Sequence, residues 1–256
     1  IRTRSSLLAF LFCLLVVSGC SSLPDNSQKK VSYAFEDTAS TFLGKAGEQE
    51  KELHPGESAL LLLDNGLDAF VGRILLAELA ERSIDVQYYM FHQDTVGKLL
   101  IHGLLKAAER GVRIRMLIDD MYGAEGDETW VALASHPKVE VRLFNPFIRG
   151  VSKGLQFLTR LSDVNHRMHN KSFTVDNQAT IVGGRNIGDE YFGATPDLAF
   201  ADLDLLALGP VVPEVSRAFD QYWNSSHAYP AALLSGEAGP GALAELEKSL
   251  GALRED

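Results

Sequence analysis

His169-Asn170-Lys171, four residues, Asp176, six residues, then Gly183-Gly184-Arg185-Asn186 form one spaced set, HxK(x)4D(x)6GGxN. A neutral imidazole can attack phosphorus. An adjacent ammonium can hold a phosphoryl oxygen and neutralise the charge that builds up in the transition state. From His169 to Val175 the residues alternate His, Lys, Phe, Val with Asn, Ser, Thr. That alternation predicts a strand in which His169 and Lys171 project the same way, roughly 7 Å apart. Asp176 falls on the opposite face, beside Asn177, where the chain is expected to turn. It reads as a structural hydrogen-bonding residue and not as a base. A returning strand, Gln178 to Val182, ends in Gly183-Gly184, whose missing Cβ atoms let backbone approach a ligand. Asn186 offers an amide donor to a phosphate oxygen.

A single histidine on a strand is usually packed or solvated; here the agreement of all the spacings outweighs that reading. Zinc binding by His166 with His169 is disfavoured, because residues three apart on a strand face opposite ways and no cysteine or carboxylate stands beside them. Asp119-Asp120 ends an apolar run and could hold a metal, but turn-forming carboxylates at a strand end are the simpler reading.

The elements that must position this set alternate strand and helix. Ala59 to Leu63 is a short apolar run, and Gly66 to Glu81 has helical spacing. Ile84, Val86, Tyr88 and Met90 alternate as a strand. Asp94 is placed to cap a helix that stops near Gly111. Strands follow at Val112 to Ile118 and Val139 to Phe144. This βαβαβ order predicts a mostly parallel sheet flanked by helices. Asn145 to Asn165 has no clear period and is expected to loop beside the site. Later come a strand at Asp202 to Leu208 and helices at Val211 to Tyr222 and Ala242 to Arg254, the last with little to bury.

The N-terminus has a different character. Arg2 and Arg4 precede an apolar run, Leu7 to Val17, and then Ser18-Gly19-Cys20. Basic, apolar and small-residue regions in that order make a secretory signal peptide, too short for a comfortable membrane span. Small residues before Cys20 are similar to a bacterial lipobox, which marks Cys20 for lipidation. Cys13 lies within the run, so a processed chain has no cysteine pair for a disulfide. Polar residues from Ser21 to Lys30 look like a flexible tether. The expected organisation is a signal at 1–19, a tether at 20–54, a folded unit at 55–228 and a linker at 229–256. The 256 residues are 46% hydrophobic, enough for one sizeable core, with a formal net charge of −10. Acidic balance disfavours a dedicated nuclease, which needs a basic face for the phosphate backbone. The locally basic group Arg149, Lys153, Arg160, Arg167, Lys171 and Arg185 could hold anionic headgroups.

The spaced set resembles the signature of the phospholipase D superfamily. Ser83-Ile84-Asp85-Val86-Gln87-Tyr88-Tyr89, then Gly111-Val112-Arg113-Ile114-Arg115 with Asp119-Asp120, is similar to the N-terminal half of bacterial cardiolipin synthases. Arg167 to Phe192, followed by Phe200-Ala201-Asp202-Leu203-Asp204, resembles their C-type branch, some of which begin with a lipoprotein-like signal. The resemblance covers roughly residues 55–228. It implies an α/β phospholipase D-like sandwich and a phosphatidyltransferase that works through a phosphohistidine, with no metal or other cofactor. It assigns His169 to catalysis, Lys171, Gly183, Gly184 and Asn186 to the phosphate, and Asp176 to support of the strand. An acidic residue that orients the histidine matches Asp202 best, with Asp204 as the fallback. The implied partners are a membrane surface, phosphatidylglycerol or phosphatidylethanolamine, and a second HxK half, in cis or in a homodimer. No nucleic acid is expected. One motif is present where such enzymes use two. Three readings stay open: the N-terminal half of a synthase, a homodimeric phospholipase or nuclease, or an inactive lipid-binding fragment. The expected location is a bacterial cell envelope, with the lipoprotein anchored to a membrane.

Overall fold

The structure is a computed structural model that describes residues 22–195 and 200–252. The signal segment, Cys13 and Cys20 lie outside the described residues. Eight strands form one sheet: β1 (Ala59–Leu63), β2 (Ser83–Tyr88), β3 (Arg113–Asp119), β4 (Val139–Phe144), β5 (Ser172–Val175), β6 (Ala179–Gly183), β7 (Asp204–Leu208) and β8 (Ala228–Pro230). Their order across the sheet is β1-β7-β6-β5-β2-β3-β4-β8. The longer helices are α1 (Gly66–Leu79), α2 (Thr95–Glu109), α3 (Asp127–Ala134), α4 (Val211–Asn224) and α5 (Ala242–Ala252).

The expectation of a mostly parallel sheet is corrected. Only β2–β3 and β3–β4 pair in parallel, and the other pairings are antiparallel. The crossovers α2 and α3 make the parallel part; the sequence predicts α2 but not α3, and β1, the first strand of the βαβαβ reading, lies at the far edge beside β7. The hairpin β5–β6 supplies one of the antiparallel pairings. Asp176 and Asn177 both adopt positive φ, 52° and 51°, the backbone of a two-residue turn that matches strand twist. That turn sends the chain straight back along β5, and β7 and β1 add antiparallel strands beyond β6 through longer connections.

Both faces of the sheet are covered. Ile84, Val86 and Tyr88 of β2, Ile114, Met116 and Ile118 of β3, and Val141 and Leu143 of β4 pack with Leu76, Leu100, Leu104 and Trp130 in the main core. At about 25 cal/mol per Å² of apolar area this burial is the dominant stabilising contribution. The opposite face is unusual because it is charged. Arg115 makes two hydrogen bonds of 2.7 Å to Asp85, its register partner, and pairs with Asp220 of α4 at 2.8 Å. Arg115 and Arg142 also lie over the Trp223 ring, 5.5 Å and 4.0 Å from its centroid. These arginines alternate with core residues along β3 and β4, so the period-2 pattern survives while the second face buries charge instead of wetting it.

Those charges explain why the flexible-tether expectation fails from Asn26 onward. Arg142 donates to Lys30 O, Arg115 to Ser32 O and Arg113 to Tyr33 O. Ser32 N donates to Asn224, Trp223 Nε1 donates to Ser32 Oγ, and Ala34 N donates to Asp220. Guanidinium groups left over after pairing with carboxylates recruit an extended strap of backbone carbonyls. Residues 42–46 and 48–53 then form short helices. The linker expectation fails as well: α5 buries Leu250 and sets Leu243 and Leu246 against the core beside α2 and α3. The stretch expected to loop contains helical turns at Lys153–Thr159 and Leu161–Val164.

Asp220→Ala would leave the strap without its Ala34 anchor and Arg115 without one of its two counter-charges. The expected loss is about 3 kcal/mol in denaturant unfolding, with faster amide exchange at residues 32–35. Unchanged exchange there would mean that the strap is held independently of this carboxylate.

Candidate active site

His169 lies just outside β5, since the strand begins at Ser172 and not at His169 as the alternation predicted. The segment is extended but has no ladder partner until β2 and β6 meet Ser172. Its rigidity comes from Asp119 at the end of β3. That buried carboxylate accepts from Met168 N at 2.7 Å, Met121 N at 2.9 Å and the Arg167 guanidinium at 2.9 Å. The residue before His169 is therefore clamped while His169 itself stays exposed. Its ring packs against Tyr89, centroids 4.8 Å apart.

Lys171 is 7% exposed, and its Nζ donates to the His169 carbonyl at 2.9 Å. The ammonium also lies 5.5 Å from the Tyr89 ring centroid. Partial removal of water by Tyr89 and the nearby Lys171 charge both lower the His169 pKa below its usual value. The imidazole is thereby biased towards its neutral, nucleophilic form. Desolvation lowers the Lys171 pKa too, and the Asp202 carboxylate opposes that shift. His169, Lys171 and Asp202 thus share one neighbourhood.

The glycines have a reason that the sequence reading missed. A Cβ at Gly184 would collide with the Asp202 carboxylate, and one at Gly183 with Asp204 and the Leu203 carbonyl. What approaches these glycines is the chain's own return segment, 202–204, with Gly184 N donating to Leu203 O at 2.9 Å. Asn186 is also committed internally: its Oδ1 accepts from Met90 N at 3.1 Å and its Nδ2 donates to the Tyr191 hydroxyl at 3.0 Å.

Asp176 sits at the far end of β5 and accepts from three successive backbone amides, Glu81, Arg82 and Ser83, at 2.8–3.0 Å. It pins the start of β2 to the β5–β6 turn and takes no part in the His169 neighbourhood. Asp204 is withdrawn into a buried ion pair with Arg73 at 2.8 Å, with Arg185 at 3.6 Å. Removing one partner of such a pair costs about 3–5 kcal/mol. Between the two acids that could orient the histidine, only Asp202 lies near Lys171.

Most of the basic group is not free to bind headgroups. Arg149 pairs with Asp120 and Asp127, Arg160 with Asp163, Arg167 with Asp119 and Arg185 with Asp204. The same contacts account for Asp119 and Asp120 without a metal: arginines and backbone amides take up both carboxylates. Asp119 does hold a turn amide, as its strand-end position suggests, but the sequence does not foresee its clamp on Arg167 and Met168, or the placement of Tyr89 and Tyr191 at the site. Asp119 and Arg167 are 48 residues apart, and nothing local signals their pairing.

Lys171→Gln should move the His169 pKa upward, because one of the two causes that depress it is removed. The ring stays neutral to lower pH in the wild type than in the variant, so any activity that needs neutral imidazole should lose its acid limb at higher pH in Lys171→Gln. Titration of the His169 ring protons by NMR reads this directly. A midpoint that stays or falls would contradict the electrostatic account.

Comparison with known proteins fits this geometry. Residues 75–223 match the family described as "Cardiolipin synthase, PLD-like domain". Cardiolipin synthase C of Escherichia coli is 51% identical over 177 residues, which is 69% of this chain and 37% of that protein. An uncharacterized protein of Helicobacter pylori is 38% identical over 222 residues, 85% of this chain and 44% of that protein. The chain thus spans well under half the length of these curated relatives. The phosphatidylserine synthase of Haemophilus influenzae has a similar fold, with a TM-score of 0.52 at 14% identity, over 83% of this chain and 47% of that one. The chain belongs to the phospholipase D-like domain family of cardiolipin synthases.

Proposed function

We propose that this domain supplies one HxK half of a phosphatidyltransferase of the cardiolipin synthase type. The observation that carries the reading is an exposed imidazole beside a buried lysine whose ammonium lies against the same tyrosine ring, with the imidazole biased towards neutrality. In this mechanism His169 attacks the phosphorus of phosphatidylglycerol or phosphatidylethanolamine. An N–P bond forms, and the P–O bond to the headgroup alcohol breaks. The departing oxygen takes a proton from a general acid on a second HxK segment. An acceptor hydroxyl then attacks the phosphohistidine, gives its proton to that same group and restores the imidazole. Lys171 neutralises the phosphoryl charge, and Asp202 balances Lys171 and orients the histidine. Gly183 and Gly184 hold the 202–204 segment at the site, Asn186 supports the backbone beside it, and Asp176 supports the far end of the strand. The second HxK segment comes from further polypeptide or from a second copy of the chain, whose symmetric pairing would face two His169 residues across the axis.

Lipid is favoured over nucleic acid because the arginines near the site are already neutralised, whereas a groove that tracks a phosphate backbone needs free cations. His169→Ala in a two-motif enzyme should lower transfer from phosphatidylglycerol by about 10³-fold or more. Substantial residual transfer would remove His169 from the chemistry. Water in place of the acceptor would make the protein a phospholipase, and release of phosphatidic acid in the same assay distinguishes that outcome.

The same reading puts the domain at a membrane of a bacterial envelope, anchored through Cys20. A single acyl chain binds only marginally, so a stable anchor needs several chains. Radiolabelled palmitate should enter the wild type and be absent from Cys20→Ser. Equal labelling of the two would refute the lipobox.

A further inference from the structure

Between β4 and His169 the chain turns its polar side chains inward and its leucines outward. Gln156, in the helical turn Lys153–Thr159, is buried, and both ends of its amide are used. Its Oε1 accepts from Ile148 N at 2.8 Å and from the Arg160 guanidinium at 3.1 Å. Its Nε2 donates to the carbonyls of Ile148 and Val151 at 3.0 Å and 2.9 Å. Ser152 caps the turn at Leu155 N, and Phe157 packs edge-on against Phe147, centroids 5.6 Å apart. Lys153 reaches inward to the Met121 carbonyl. What remains outside is Leu155, Leu158 and Leu161, 52%, 85% and 57% exposed. A surface helical turn ordinarily buries leucine and exposes glutamine. Here the hydrogen bonds of Gln156 hold the reverse arrangement, so the leucines are presented by a built element and mark a contact surface.

A second observation indicates what that surface meets. A cavity of about 520 Å³ beside the same turns is lined by Leu23, Phe144, Arg160, Ser162, His166 and Tyr229, among others. Leu161 stands in the chain between two of these residues. Leu23 belongs to the N-terminal strap, and the strap is fixed close by: Asn26 Nδ2 donates to Ser226 O at 2.8 Å and Lys29 Nζ to Ala228 O at 3.0 Å. Cys20 is three residues before Leu23, within about 11 Å even of fully extended chain. Acyl chains on Cys20 would therefore enter a bilayer beside Leu161 and the turn that carries the other two leucines.

The same turns are joined to the segment that carries His169. Arg167 Nε donates to Val164 O at 2.9 Å, and Asn145 Nδ2 donates to the carbonyls of Asp163 and His166 at 2.6 Å and 2.8 Å. A contact made by the leucines thus fixes the orientation of His169. We propose that Leu155, Leu158 and Leu161 form an interfacial patch that enters a lipid surface beside the anchor at Cys20 and sets the His169 end of the sheet against the membrane. The inference rests on the lipobox reading of Cys20 and adds an orientation to it. An anchor alone leaves the domain free to turn about its attachment. A second, apolar contact removes that freedom and supplements acyl chains that singly bind only marginally.

The test places one tryptophan at a time in the full acylated chain and adds vesicles of phosphatidylcholine and phosphatidylglycerol whose acyl chains carry bromine, a contact quencher. Trp130 and Trp223 are 1% and 0% exposed and stay out of its reach. In Leu158→Trp the emission should shift to the blue and be quenched severalfold. Leu53→Trp is the control, because Leu53 is 63% exposed but lies at the β5–β6 turn, where Lys51 donates to Gln178. It should show neither effect. Adding Leu155→Asp and Leu161→Asp to Leu158→Trp should abolish the quenching while palmitate labelling persists. A vesicle-bound chain without quenching at 158, or with equal quenching at 53, overturns the patch and leaves the anchor standing. Absence of both vesicle binding and palmitate overturns the anchor and the patch together. A blue shift at 158 without vesicles, in a chain that sediments as a dimer, gives the leucines to a second copy and overturns the lipid assignment.

Discussion

The buried pairing of Arg73 with Asp204 holds the catalytic end of the sheet together. Both side chains are withdrawn from water, 1% and 0% exposed. Burial alone would lower the Arg73 pKa, but Tyr88 and Asp204 more than compensate, and the guanidinium stays charged. Its three nitrogens reach three different elements. Nε donates to Tyr88 at the end of β2, Nη1 to Ala69 within α1, and Nη2 to Asp204 at the start of β7. Arg185 extends the cluster by donating to the carbonyls of Leu63 and Asp64 where β1 ends. A helix, three strands and the glycine pair thus converge on one carboxylate. A buried charge with a single partner would be a liability; this one has hydrogen bonds enough to offset much of its desolvation.

The same use of charge runs through the rest of the chain. Its formal charge of −10 suggests a repulsive, solvated surface, yet many of the carboxylates that matter are turned inward. Asp119 holds the residue before His169, Asp120 holds Arg149, Asp85 and Asp220 hold Arg115, and Asp176 holds three amides. These groups fix geometry instead of repelling one another at the surface. Among the described residues around His169, Lys171 is the charge that acts on the imidazole, and it biases the ring towards the state that can attack phosphorus.

An exposed histidine on a clamped segment has a further consequence. On the proposed function, the surface that presents His169 is one wall of a reaction site, and a phosphodiester needs a proton donor on its other side. A partner segment can therefore meet His169 without displacing the elements that hold it.

Much was legible in the sequence. The spacing from His169 to Asn186 marked a candidate site and the family, because residue type and interval agree together over that stretch. Period-2 and period-3.6 patterns located most strands and the longer helices except α3, and Asp94 announced its cap, since these signals are local. Tertiary structure decided the rest. The β5–β6 reversal depended on two positive-φ residues at the turn, and the antiparallel places of β7, β1 and β8 on long connections that no local pattern signals. Asp202 and Asp204, two residues apart and chemically identical, were separated when Arg73, 131 residues away from Asp204, claimed one of them. The polar strap at 26–41 looked flexible because its partners, Arg113, Arg115 and Arg142, lie on strands far along the chain. The glycines were read as room for a ligand, and the fold fills that room with its own return segment. Local periodicity is written in neighbouring residues, whereas the destination of a buried charge is settled only when distant segments meet.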